Sequence, residues 1–234
     1  MDIESTFTDL PWTTGVAWCD LASDYPVNVS LWSEGQFRLS ASATHFGFVQ
    51  SGTLTIECAA GRYEIFPGMY FCIPGEAILL GAGQGIVSSL LQYRGFFQIG
   101  GPIEATGRLK YIDGCSDSLL ISPVVLGDPC LNLLHIPAAT HQTRHTHPTM
   151  RSGIIISGSG VCSTPAADFP LAAGTAFVIP AEAVHSFHTS VEEELCVIAW
   201  HPDSDTGPSH HDHPMVNRTI VNGVPASQIP EILT

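Results

Sequence analysis

Positive charge is scarce in this chain: eight Lys and Arg stand against 22 Asp and Glu, for a formal net charge of −14. Phosphate backbones and anionic membrane surfaces are gripped by clustered Lys and Arg, so neither nucleic acid nor membrane is an expected partner. No apolar run approaches the roughly 20 residues that a spanning helix needs. The opening MDIESTFTDLPW has neither the basic flank nor the apolar stretch of a secretory leader, and a cytoplasmic location is expected. CxxC pairs are missing as well. The seven cysteines (Cys19, Cys58, Cys72, Cys115, Cys130, Cys162, Cys196) are odd in number and widely spaced, which fits free buried thiols and not a disulfide framework. Sustained 3.6-residue periodicity is almost absent, which argues against a helical domain.

What the chain does have is apolar content and turn residues. Hydrophobic residues make up 44% and charged residues 13%, enough to build a core. The 22 Gly and 17 Pro sit beside short β-prone runs such as TLTIEC, YEIF, YFCIP and GIIIS, so the expected class is all-β with many short strands.

The chain also repeats itself. GMYFCIPGEAIL (Gly68 to Leu79) reads onto GTAFVIPAEAVH (Gly174 to His185) at an offset of 106 residues. The same offset carries Gly47, Ser51 and Gly52 onto Gly153, Ser157 and Gly158, and Gln36 and Arg38 onto Gln142 and Arg144. Three blocks in one gap-free register indicate a duplication, each unit being a small barrel or sandwich. The boundary is expected within GGPIEATGRL, giving units 1–106 and 107–201, followed by an arm, 202–234.

The halves differ in histidine: ten of the eleven lie beyond residue 134. In HQTRHTHP, His145 and His147 are two apart, so on a strand both imidazoles project from one face and share an ion. His185 follows on a neighbouring strand. At the repeat offset the first half has Leu39, Ala41 and Leu79 in their place. Packing alone gives no reason for three histidines to be exchanged jointly for apolar residues, so these three are read as metal ligands.

With those residues in view, the second half resembles a cupin. The first cupin motif runs HxH, then Glu, then Gly; the second runs Gly, Pro, Gly, His, Asn. HTHPTMRSGIIISG supplies His145, His147 and Gly158 at those spacings, and GTAFVIPAEAVHSFHT supplies Gly174, Pro180 and His185. The resemblance implies two tandem cupin (jelly-roll-type) β-barrels, a bicupin whose second unit alone keeps its metal site. Arg151 stands where the motif has its Glu ligand, and a guanidinium has no lone pair to give a cation. The implied site is therefore a three-histidine variant. Glu182 and Thr189 replace the motif's Gly and Asn, but Glu182 is matched by Glu76 in the ligand-free half and is read as structural. Gln142, matched by Gln36, is likewise read as a structural hydrogen-bonding residue, and His135, His141 and His188 as satisfied or exposed side chains.

Three neutral imidazoles suit one divalent transition metal, with Fe(II) favoured and Zn, Ni, Cu or Co open. Three protein ligands leave positions free for other groups, the mark of a catalytic centre. Within the family, such sites resemble the dioxygenases that cleave diketones, gentisate or related phenols. The resemblance thus implies an oxidoreductase in which a small chelating carbonyl, enol or phenolic substrate binds iron, Arg151 pairs with its anionic group, and dioxygen is the co-substrate. Two alternatives stay open: a Zn or Ni isomerase or lyase without redox chemistry, and a ligand-binding or sensor bicupin. Phe177, Phe187, Ile155 and Trp200 are expected to line the pocket, and Arg38, His45 and Arg94 a cavity of the first half. The His210, His211, Asp212, His213 cluster is read as part of a packed arm, and a homodimer is expected.

Overall fold

The computed structural model describes residues 7–205 and 214–232, so the 210–213 cluster lies outside the described residues. The chain is mostly strand. In order these are β1 (Thr8–Leu10), β2 (Gly15–Asp20), β3 (Val27–Leu39), β4 (Ala43–Cys58), β5 (Gly61–Ile65), β6 (Tyr70–Pro74), β7 (Ala77–Leu91) and β8 (Gln98–Gly100) in the first half. The second half holds β9 (Leu109–Lys110), β10 (Ser116–Ile121), β11 (Cys130–Ile136), β12 (Arg151–Ser163), β13 (Asp168–Ala172), β14 (Ala176–Ile179), β15 (Ser186–His188) and β16 (Leu195–His201). A short helix α1 (Pro214–Arg218) and the hairpin β17 (Ile220–Val221) with β18 (Val224–Pro225) follow. No helix among the described residues is long and apolar enough to cross a membrane.

Among the described residues the strands form two large antiparallel sheets, one in the order β2-β3-β7-β4-β6-β8 with β5 on β4, the other β1-β14-β12-β16-β11-β10-β9 with β13 and β15 on β12. Neither path closes on itself. The N-terminal strand β1 pairs with β14, Asp9 opposite Phe177, and so joins the sheet of the other half.

The repeat has a physical basis. Along β4, residues 44–48 pair with β6 and residues 54–58 with β5. Along β12, residues 151–154 pair with β14 and residues 159–163 with β13. Each long strand changes partner across a bulge, between Val49 and Ser51 and again between Ile155 and Ser157. A glycine of positive φ follows each bulge, Gly52 at 76° and Gly158 at 77°. A Cβ there would lie 2.0 Å from Ala82 O or 1.8 Å from Glu194 O, so only glycine lets the strand turn so close to its neighbour.

Three apolar clusters result. One is built from first-half residues around Trp32, Phe71 and Leu79. A second lies in the other half around Phe177, Phe187 and Leu195, closed by Phe7. The third draws on both, with Val29, Phe46 and Ile86 against Leu131, Ile154 and Trp200, and holds the two sheets together. All seven cysteines are free; five are buried.

Candidate metal centre and its cavity

His145 and His185 face each other across an isolated antiparallel bridge, each backbone N–H donating to the other's carbonyl at 3.0 Å. The two side chains are fixed in the same way: His145 Nδ1 lies 2.8 Å from Thr143 O, and His185 Nδ1 2.8 Å from Ala183 O. A ring nitrogen that donates to a carbonyl leaves the other, Nε2, with a free lone pair. Thr143 is itself held by Asp113, which accepts from its N–H at 2.7 Å and its hydroxyl at 3.2 Å. His147 follows, its carbonyl accepting the Glu182 N–H at 2.8 Å.

The three rings gather with centroids 4.6 to 5.2 Å apart. Their nearest ligand atoms all lie within 4.8 Å of one another, making this the one group of three metal-ligating side chains among the described residues. Burial pushes the imidazolium forms out: His147 falls to about 2, mainly by desolvation and then by Arg151, and His185 to about 4, again mainly by desolvation. A neutral imidazole is the form that binds a cation. Three imidazole donors, with His145 and His185 oriented by backbone carbonyls and His147 and His185 held neutral by burial, together fit a divalent transition metal.

These rings open onto a cavity of about 240 Å³. Arg151, at the start of β12, lines it. The Arg151 Nη1 donates to Thr149 O at 3.0 Å, Thr149 Oγ1 at 2.9 Å and Met150 O at 3.1 Å. Burial lowers its guanidinium to about 10, still charged at neutral pH, and no carboxylate forms an ion pair with it among the described residues. Phe177 and Phe187 line the cavity as expected from the sequence; Ile155 and Trp200 do not. Ile155 packs in the core behind Phe177, and Trp200 points to the other half, 5.6 Å from Phe46.

The Gln142 Oε1 accepts the Phe187 N–H at 3.1 Å, so it is occupied by structure. His135 pairs with Glu194 at 3.0 Å. His141 and His188 face each other with Nδ1 atoms 3.4 Å apart. Thr189 joins the chain to Pro137 O at 2.6 Å. The three residues expected to line a first-half cavity are not brought together: His45 is fully buried between Ser89 and Ser40, Arg94 is exposed, and Arg38 is exposed and paired with Glu76.

Four polar cavity residues escaped the sequence reading: Tyr111, Asp117, Asn132 and His201. His201 Nδ1 lies 2.8 Å from Asp203 O, and burial holds the ring down to about 4. Strand alternation was the available signal, since Val197, Ala199 and His201 line the cavity at every second position of β16.

No protein-family model matches the chain, and no curated protein matches it in sequence. Solved structures do resemble it. A cupin 2 conserved barrel domain protein from Leptotrichia buccalis superposes with a TM-score of 0.56 at 12% identity, covering 87% of this chain and 92% of its own. The fold is that of a cupin. An IolB-like protein from Salmonella typhimurium gives a TM-score of 0.62 at 13% identity over 87% of this chain and 93% of its own. Salicylate 1,2-dioxygenase from Pseudoaminobacter salicylatoxidans gives 0.57 at 11% identity over 76% and 68%. At these identities the cupin likeness is one of fold.

Proposed function

We propose that the chain is a metal-dependent cupin oxidoreductase of the dioxygenase type acting on a small anionic substrate, with the ion held by His145, His147 and His185. The observation that carries this reading is the convergence of three imidazoles and one guanidinium without a carboxylate partner on a single cavity. Iron(II), or Zn, Ni, Cu or Co in its place, would supply a Lewis acid with open positions for a chelating substrate and, as iron, reactivity toward dioxygen. The likeness to a salicylate dioxygenase supports the redox version through fold alone.

The chain's own residues do the rest. Thr143 O and Ala183 O hold two imidazoles in the donor tautomer and orientation. Arg151 is anchored by Nη1, which leaves Nε and Nη2 to receive a carboxylate or enolate oxygen. Phe177 and Phe187 give an apolar wall that excludes water and strengthens those contacts. The two sheets are taken as tandem jelly-roll units meeting between β8 and β9, with β1 reaching across, in a homodimer.

Dioxygen uptake by the iron-loaded protein over a panel of diketones and phenolic acids tests the proposal. Turnover, with Arg151→Met weakening substrate binding by about tenfold or more through loss of a charge-assisted hydrogen bond of ~1.5–3 kcal/mol, supports it. Stoichiometric Zn or Ni without uptake would replace it by isomerase or lyase chemistry at the same site.

A further inference from the structure

A separate part of the cavity wall comes from β10 and β11, where Asp117 and Asn132 face the same space. Asn132 Nδ2 donates to Asp117 Oδ2. That bond leaves Asp117 Oδ1 and Asn132 Oδ1, both acceptors when the carboxyl is ionised, fully buried and without a partner. Among the described residues only the indole nitrogens of Trp32 and Trp200 share that condition. A buried acceptor left unpaired costs about 1–3 kcal/mol, and more when it belongs to an ionised carboxylate. Neither oxygen has surface open to water, and among the described residues no cation forms an ion pair with Asp117.

We infer that Asp117 is a neutral carboxylic acid whose Oδ1–H donates to Asn132 Oδ1, so that Arg151 is the one side chain giving the cavity a formal charge, no anionic side chain offsets it or the metal, and the cavity takes small monoanions in preference to zwitterions. The two leftover atoms are each other's complement. A primary amide and a carboxylic acid pair edge to edge through one N–H···O and one O–H···O bond, and a single proton satisfies both orphans at once. Burial raises the Asp117 carboxyl above its ordinary range, although the Asn132 bond pulls the other way. The titratable groups around it do not pair with it: Arg151 shares the cavity but forms no ion pair with it, Tyr111 is raised by burial, the Cys130 thiol is pushed up to about 12, and Lys110 on the adjoining β9 is exposed. An ionised Asp117 would instead make the cavity dipolar, matched to an amino-acid-like ligand. The ligand class rests on the cavity being the substrate site proposed above; the proton on Asp117 does not.

Carbon-13 NMR of protein labelled at aspartate Cγ, before and after chelation, tests the proton directly, with Asp117→Asn assigning the signal. The expected result is a protonated-carboxyl shift at neutral pH that does not move with the bulk of the aspartates near about 4. Titration along with them overturns the inference. Unfolding free energy gives a second readout that needs neither label nor ligand. A raised native pKa means that the folded state binds more protons, so the parent loses stability relative to Asp117→Asn as pH rises from about 4 toward that pKa. A pH-independent difference contradicts it. Calorimetry with pyruvate and alanine then tests the ligand class. Pyruvate should bind at least about tenfold tighter, the scale of one uncompensated charge; alanine binding as tightly, or neither binding, overturns that clause. Failed oxygen uptake with a protonated Asp117 would remove the proposed reaction and leave this inference standing.

Discussion

In the first half, Leu39 and Leu79 are 3% and 0% exposed and lie in a filled core with Trp32, Ile56 and Phe71. At the matching places the second half has His145 and His185 beside a cavity, and where it places Arg151 the first half has His45, fully buried and bonded to Ser89. The frames around these interiors are the same. His45 pairs with Ile73 and Gly47 with Phe71; 106 residues on, Arg151 pairs with Ile179 and Gly153 with Phe177. In both halves the glycine lies against the phenyl ring of its partner, where a Cβ would come within 2.1 Å (Phe71) or 2.7 Å (Phe177) of Cζ. The scaffold therefore rests on glycine–aromatic contacts and bulges that neither half can lose, while the side chains pointing inward are free to differ. One unit spends its interior on packing, the other on polar groups.

The comparison can be broken at its frame. Gly158→Ala and Gly52→Ala should each cost about 3 kcal/mol or more, because both positive φ and backbone overlap oppose a Cβ. Equal losses of thermal stability are expected; a tolerant Gly158 would deny that the two bends do the same job. Grafting a ligand into the filled half comes next. Leu79→His should cost about 2–4 kcal/mol by burying an unpaired imidazole in an apolar cluster, without raising the metal bound per chain. A second equivalent of metal would show that the first half keeps a latent site.

Acid acts on both halves, on the first through the single buried His45 and on the second through several buried imidazoles. In chelated protein His185 and His201 titrate near about 4 when folded, against 6.5 as the ordinary value. Their folded pKa is depressed, so between those values the unfolded chain binds more protons, and stability falls as pH drops from about 6.5 to about 4. Urea midpoints across that range should flatten in His201→Asn; an unchanged slope would contradict the buried neutral imidazole. The smallest effect belongs to the surface pair Arg38 and Glu76, both at least half exposed, where Glu76→Gln should change stability by less than ~0.5 kcal/mol.

Much of this frame was legible in the sequence because duplication preserves register, and register reveals which positions changed character. His145, His147 and His185 stood out against Leu39, Ala41 and Leu79 for that reason. The register also explains where the reading ended. Phe46 pairs with Ser88, but Ser152, 106 further on, pairs with Trp200, 112 beyond Ser88. Six extra residues before β16 hid its phase, so Trp200 was assigned to the cavity instead of His201. Asp117 and Asn132 lie in a hairpin outside the matched blocks, and their partnership is a cross-strand contact that no spacing announces. The crossing of β1 into the other sheet depends on tertiary pairing in the same way.

The most direct measurement is the metal content of tag-free protein purified anaerobically, for the parent, His145→Ala and His185→Ala. About one divalent ion per chain in the parent, lost in both variants while the fold persists, is the predicted result for a three-histidine centre. A folded parent without stoichiometric metal would contradict it and leave a cavity that binds ligand through Arg151 alone.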